Sequence, residues 1–282
     1  MSFIDFARIH GVSIDPQQLF ASERIRRTGT LDKPKSTNGA FFWDGKRGWV
    51  FNWATNPRVE WYDDPTAAPW TPDDKKKFAQ QRDAERQRRD EGHQNAAKKA
   101  QEMLRAATQG DHPYLTIKGF NDETGLVLEE RLLIPMRNVT TNALQGVQTI
   151  YWDEPQRRYD KKMIYGMKAK DAVYWLGPRD GAKWLVEGYA TGLSLLKALR
   201  SIGNHDAVVV TFSAQNMISV AQKLQGKVFI FADNDASETG AKAAHETGRP
   251  WVMADEVGMD ANDLHKKHGL FAVVEKIMEI KR

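Results

Sequence analysis

The sequence predicts an α/β protein with a central, mainly parallel sheet flanked by helices, preceded by a charged helix and a small β-rich N-terminal module. Three observations predict it. In the last third of the chain, apolar runs of strand length end abruptly at glycine or acids and lead into helix-compatible stretches. From Asp74 to Ala107 the chain is highly charged and free of proline, a composition that favours one long helix. Nearer the N-terminus, aromatic residues alternate about an Asp-Gly turn.

In chain order, residues 1–72 form the first region. Its centre, GAFFWDGKRGWVFNW (Gly39 to Trp53), reads as a β-hairpin turning at Asp44-Gly45. Two uses of its aromatics are open. They can form the small core that so short a module needs. Alternatively Trp43, Trp49, Phe51 and Trp53 can stack on bases while Lys46 and Arg47 meet phosphates. Residues 73–110 form the helical linker. Between Asp74 and Ala107 ten basic residues stand against six acidic ones, an excess of four that equals the net charge of the whole chain, +4. Such a helix serves either as a solvated spacer or as a phosphate-tracking arm.

The last third carries the chemistry. Trp184-Leu185-Val186 is a strand, Gly188 a turn, and Leu193, Leu196 and Leu199 recur at helical spacing. Val228 to Ala232 is a continuous apolar run of the kind a buried parallel strand needs, and it stops at Asp233-Asn234-Asp235 before a helix from Ala241 to Thr247. Further strands are expected at Ala207 to Phe212 and Trp251 to Ala254, the latter followed by Asp260-Ala-Asn-Asp263. Three successive βα edges therefore carry acids, at the C-terminal edge where open α/β sheets keep their ligands. The strand period of two points Asp233 and Asp235 to one side, with Glu187 on a neighbouring strand. Such a set suits Mg²⁺, which takes one or two protein carboxylates and completes its shell with water and substrate phosphates. Short acids after a strand also serve as turn residues and helix caps.

These residues carry a resemblance. The Val-Glu-Gly turn, the Asp-Asn-Asp turn with Gly240 beyond it and the late Asp-x-x-Asp resemble the TOPRIM domain of bacterial-type primases, topoisomerases and a group of nucleases. Upstream, HPYLTIKGF (His112 to Phe120), RLLIPMRN (Arg131 to Asn138), LQGVQTI (Leu144 to Ile150), Lys161-Lys162, YWLG (Tyr174 to Gly177) and then EGYATGLSLL are similar, in that order, to the core of phage and conjugative-plasmid primases. The resemblance covers roughly residues 111–270. It implies a small α+β subdomain over 111–180 and a metal-binding TOPRIM domain over 181–282. It implies that Glu187, Asp233 and Asp235 are the catalytic, metal-binding acids, with Asp260 and Asp263 supporting. It also implies that Lys118, Arg137, Lys161 and Lys162 lie where template or nucleotide sits. Such primases often carry a cysteine-ligated zinc ribbon at the N-terminal position, with aromatic strands that engage single-stranded template. This chain has no cysteine, so no zinc is expected there and the module would be metal-free.

The reading that follows is a DNA primase making short RNA primers on single-stranded DNA in phage or plasmid replication, by nucleotidyl transfer with Mg²⁺ or Mn²⁺. Its expected partners are template DNA, NTPs and a separate replicative helicase, because no Gly-x-x-x-x-Gly-Lys-Ser/Thr loop is present. The same acids would also serve a TOPRIM-type nuclease, or persist in a non-catalytic DNA-binding accessory or inhibitor. A topoisomerase fits less well, since 282 residues leave little room for strand-passage domains. The chain shows neither an eighteen-residue apolar run nor the basic-then-apolar pattern of a secretion signal in Met-Ser-Phe-Ile-Asp-Phe, so a cytoplasmic location is expected. His265 and His268, three apart in a polar segment, are expected at the surface.

Overall fold

The computed structural model describes residues 1–53, 56–67 and 71–280. The chain divides into two units, Met1–Arg82 and Asp83–Arg282.

In the first unit, α1 (Phe3–Ile9) is started by a capping box between Ser2 and Asp5. Five strands follow: β1 (Val12–Ser13), β2 (Ser22–Thr30), β3 (Gly39–Trp43), β4 (Arg47–Asn52) and β5 (Asn56–Asp63). They form one antiparallel sheet in chain order. The β3–β4 turn is built as its sequence suggests. The Asp44 carboxylate accepts the Lys46 and Arg47 backbone N–H groups at 2.8 and 2.5 Å, and Gly45 takes φ 103°. Strand alternation then divides the aromatics between two faces. Phe41, Val50 and Tyr62 turn towards α1 and bury against Phe3, and Trp43 stacks on Phe3 at 4.6 Å between ring centres. Phe42, Trp49 and Trp61 fall on the opposite face as directly paired neighbours across three strands.

The charged helix is α2 (Pro72–Ala106), and the boundary between units falls within it. The side chains of Asp74 and Lys77 lie outside the described residues. Its C-terminal part is not a bare spacer. Ala100 is fully buried with Leu133 and Val147, and Met103 and Leu104 pack against that cluster.

The second unit continues through β6 (Thr108–Gly110), α3 (Pro113–Ile117), β7 (Gly125–Leu128), β8 (Arg131–Asn138), β9 (Leu144–Asp153) and β10 (Arg158–Met163). It goes on with β11 (Ala172–Leu176), β12 (Lys183–Val186), α4 (Tyr189–Ser201), β13 (Ala207–Val210), α5 (Ala214–Lys223) and β14 (Val228–Ala232). It ends with α6 (Thr239–Glu246), β15 (Trp251–Met253), α7 (Ala261–His268) and α8 (Leu270–Ile280).

One ten-stranded sheet runs through this unit in the order β10-β9-β8-β11-β13-β12-β14-β15, with β7 beside β8 and β6 beside β7. Parallel pairing is confined to β13–β12, β12–β14 and β14–β15, while β11 and everything before it pair antiparallel. The sheet is therefore mixed rather than mainly parallel. The sheet is continuous through β11, which hydrogen-bonds to β8 on one side and β13 on the other. Alternation along β12 builds both layers. Trp184 and Val186 enter a core with α3, α4, α7 and α8, and Leu185 enters another with Met217, Val220 and Ala221 of α5. Trp184 through Val186 are fully buried. At roughly 25 cal/mol per Å² of apolar surface, such side chains each contribute about 1.5–3 kcal/mol, which fixes the strand that delivers Glu187.

Candidate functional site

Glu187 is the first residue beyond β12, and Gly188 turns the chain into α4. The helix lies close to the sheet because Gly192 has no side chain. A Cβ there would stand 2.9 Å from Leu176 and 3.0 Å from Val210. Across from it, Phe212, two residues beyond β13, takes φ 66°, outside the range most bulky residues adopt, and its N–H donates to the Glu187 carbonyl at 3.0 Å. Burial raises the Glu187 carboxyl above the usual glutamate range, and Asp235 adds to the rise. Lys161 and the Ala214 N–H act against it.

Asp233 follows β14 and is the most perturbed acid. Burial, then the charges of Asp260 and Glu187, push its carboxyl up to about 8, against the pull of Lys161. Its Oδ1 is buried with no hydrogen-bond partner. Asp235 behaves differently. The strand ends at Ala232, so the period of two no longer sets its direction, and its carboxylate is turned onto the start of α6. There it accepts the Ser237 hydroxyl in a short hydrogen bond. It also accepts the backbone N–H groups of Ser237, Thr239 and Gly240 at 2.9, 3.2 and 3.1 Å. These donors, the Ser237 hydroxyl foremost, hold its pKa below the usual range.

Between the two, Asn234 is a clamp that sequence reasoning missed. Its amide Nδ2 donates to the Ala254 and Asp255 carbonyls at 2.9 and 3.3 Å, and its backbone N–H to Met259 at 3.0 Å. These bonds hold the loop from β15 back to Asp260. Asp260 caps α7, accepting Asn262 and Asp263 N–H groups at 2.7 and 2.9 Å and the Thr191 hydroxyl of α4 at 2.9 Å, while Asp263 completes the capping box. The Asp-x-x-Asp signal is thus a helix start whose first acid also faces Asp233. Asn262, fully buried, ties α7 to the Lys118 carbonyl at 2.9 Å and to Ser194 at 3.1 Å.

The basic residues separate. Lys161 acts on both Glu187 and Asp233, and its ammonium lies 5.7 Å from the Tyr114 ring centre. Lys162, the next residue on a strand, points elsewhere and pairs with Asp160 at 3.2 Å over the Tyr151 ring. Lys118 ends α3 beside Tyr114, a buried phenol whose hydroxyl has no partner and whose pKa burial pushes up to about 12, with the charges of Asp260 and Asp263 adding to it. Arg137 lines a groove with Lys98 and Arg105 instead. In the first unit Trp43 belongs to the core and Arg47 pairs with Asp63 at 3.2 Å. Trp53 is 51% exposed with the Arg27 guanidinium 3.7 Å above its ring. His265 is half-buried rather than at the surface, 3.0 Å from the Ser194 hydroxyl, with burial lowering its pKa.

A buried carboxylate oxygen without a donor, neighbouring acids whose charges raise the carboxyls of Asp233 and Glu187, and a lysine that opposes them make a candidate cation site. Residues 183–270 match the Toprim domain family. Neither the curated proteins nor the solved structures gave a match to the chain. Toprim domains belong to metal-dependent nucleic-acid enzymes and bind Mg²⁺ through acidic residues. The residues present fit that ion. The donors are carboxylate oxygens, and Asp233 Oδ1 is free for an electrophile that no protein group supplies. Among the described residues no three acidic, imidazole or thiol side chains are grouped so as to hold a metal ion by themselves. No helix among them is long and apolar enough to cross a membrane.

Proposed function

We propose that the protein is a DNA primase, joining ribonucleotides on a single-stranded DNA template. The observation that carries the reading is Lys161. The strand that bears it belongs to the antiparallel wing preceding the Toprim domain, yet its charge reaches Glu187 and Asp233. A cation facing an acid cluster from a second element suits a substrate with its own phosphates, such as an incoming NTP. The order of motifs from His112 to Asp263 agrees with that choice.

Asp233 and Glu187, with the second oxygen of Asp235, would hold Mg²⁺ or Mn²⁺. Asp235 Oδ2 accepts one hydrogen bond, from Gly240, and keeps a lone pair for this purpose. When bound, the cation would neutralise phosphate charge and ease ionisation of the attacking 3′-hydroxyl. The chain's own residues do the rest. Lys161 stabilises negative charge on the nucleotide phosphates, and Asn234 holds the loop that sets Asp260 against Asp233. The capped starts of α6 and α7 keep Asp235 and Asp260 from rotating away.

Template would be met by the outer sheet face of the first unit. Phe42 and Trp49 stack with ring centres 6.4 Å apart, Trp61 beside them is 62% exposed, and Trp53 lies under Arg27. Exposed aromatics flanked by cations hold single strands by base stacking without sequence preference. A helicase from another chain and a cytoplasmic location complete the reading.

The deciding experiment incubates the protein with single-stranded DNA, labelled NTPs and Mg²⁺ or Mn²⁺. Labelled oligoribonucleotides support the primase. DNA cleavage without NTPs identifies a nuclease, and DNA binding with neither product identifies a non-catalytic accessory.

A further inference from the structure

Between the C-terminal turns of α2 and the adjoining ends of β8 and β9 lies a groove of about 410 Å³, lined by Lys98, Gln101, Leu104, Arg105, Arg137 and Leu144. Its charge is of one sign. Three cations and no carboxylate face it, and none of the three is ion-paired among the described residues. Elsewhere on this unit lysines meet acids, as Lys197 does Asp122 and Lys276 does Asp255, both at 2.6 Å. Uncompensated cations along a concave wall focus the field and draw in anions.

The cations are arranged in a line rather than a knot. Lys98 and Arg105 are seven residues apart on α2, so they share one face about 10 Å apart at 1.5 Å per residue, with Gln101 between them. Arg137 faces them from the sheet and is anchored: it donates to the Asn142 carbonyl at 3.2 Å, while Arg179 donates to the Asn142 side-chain oxygen at 3.0 Å. Asn142 has φ 59°, so the two arginines grip a turn already fixed in the left-handed region. A guanidinium has five N–H donors, which leaves Arg137 most of its fork for a ligand.

We propose that this groove binds the phosphodiester backbone of a single nucleic-acid strand. A cationic row about 10 Å long spans about three nucleotides at 3.4 Å per stacked step, whereas a free triphosphate presents one compact cluster of charge. Leu104 and Leu144 between the cations offer the sugars an apolar surface. The inference rests on the nucleic-acid reading above and adds a second contact surface to it, on elements that carry none of the acids.

Fluorescence anisotropy of the full chain with a labelled oligo-dT, titrated with salt and without NTP or metal, tests it. Lys98→Ala/Arg105→Ala should bind about tenfold more weakly, with the slope of log K against log salt reduced by about 1.4, since each lost contact to a single strand is worth about 0.7. Adding Arg137→Ala should take the reduction to about 2. Lys227→Ala, just before β14 at the far end of the parallel strands, should change nothing. Variants that keep wild-type affinity and slope overturn the proposal. So does inorganic triphosphate that binds the wild type but not the double variant while oligo-dT affinity stays unchanged, for the groove would then take free phosphate. A wild type that does not bind oligo-dT at all ends the nucleic-acid reading itself, and this inference with it.

Discussion

Gly240 lies against the backbone of Asp233: a Cβ on Gly240 would stand 2.3 Å from the Asp233 carbonyl oxygen and 3.2 Å from its nitrogen. Glycine is needed here for space and not for an unusual φ, since the residue is an ordinary member of α6. The contact lets the first turn of α6 close over the β14 turn, where its N–H groups reach Asp235.

Gly240→Ala should therefore push the helix away from Asp233. Overpacking of this kind costs about 1–3 kcal/mol, and primer synthesis should fall by more than that loss of folded protein explains. Denaturant unfolding together with activity per folded molecule checks it. An alanine variant with normal stability and turnover would show that the helix can retreat harmlessly.

Asp235 has two duties that different substitutions separate. Asp235→Ala removes an acceptor used by the Ser237, Thr239 and Gly240 N–H groups and should cost about 1–2 kcal/mol, the usual range for a lost cap, as well as activity. Asp235→Asn keeps a neutral acceptor and should recover much of the stability while remaining inactive. Urea midpoints for the two variants beside a primer assay test the split. Equal activity in wild type and Asp235→Asn would remove Asp235 from the metal site.

The sequence made the strand-turn-acid units legible because a buried parallel strand must be an unbroken apolar run, and Val228 to Ala232 stops where the acids begin. It could not show what each acid does afterwards. Asp233 and Asp235 are two residues apart, but one follows the strand inward and the other is captured by helix N–H groups, a choice made by backbone that only the fold assembles. The continuity of the sheet through β11 was hidden for a related reason. Antiparallel β8 and parallel β12 are both apolar, and nothing in Ala172 to Leu176 states which strands lie beside it. The role of Asn234 had a faint signal, a polar residue that cannot be a ligand of choice placed between two acids. Among the aromatics, the alternation was visible but the buried face was not, because α1 decides it.

Stability without added metal should depend on pH through Asp233. Its folded-state pKa of about 8 stands above the ordinary 3.8, so the native protein holds a proton that the unfolded chain has released between these values. Stability should fall as pH rises from about 4 to about 8 and level off above. Glu187, raised in the same direction, adds to the fall. Thermal melts in EDTA should show a shallower decline for Asp233→Asn than for wild type, the remainder belonging to Glu187. A decline in Asp233→Asn as steep as that of wild type would contradict a raised pKa at Asp233.

Lys161 and Lys162 are neighbours in sequence with separate surroundings. Lys161→Ala removes the cation that opposes Glu187 and Asp233 and should raise the NTP concentration needed for half-maximal synthesis by about tenfold, the scale of one lost contact to a charged group. Lys162→Ala breaks an exposed pair with Asp160 and should leave nucleotide use nearly unchanged, as such pairs contribute little. Steady-state kinetics on the two single variants decides between them. The reverse ranking would place Lys162, and not Lys161, beside the nucleotide.

Trp43 and Trp61 test which face of the small sheet meets nucleic acid. Trp43 stacks on Phe3 and tilts against Tyr62, so Trp43→Ala should open a cavity and destabilise the first unit by about 3 kcal/mol, with any loss of DNA binding following from unfolding. Trp61 is exposed and pairs across the sheet with Trp49, so Trp61→Ala should leave the melting temperature within a degree or two. If bases stack on that face, the same change should weaken oligo-dT binding by about 1–3 kcal/mol, the usual worth of one base-aromatic stack. Trp49→Ala should behave like Trp61→Ala with a modest added loss of stability, because it is half-buried between Phe42 and Trp61. Calorimetry and anisotropy on the three variants give the answer. Unchanged binding in both Trp61→Ala and Trp49→Ala would assign the outer aromatics to something other than single-stranded DNA.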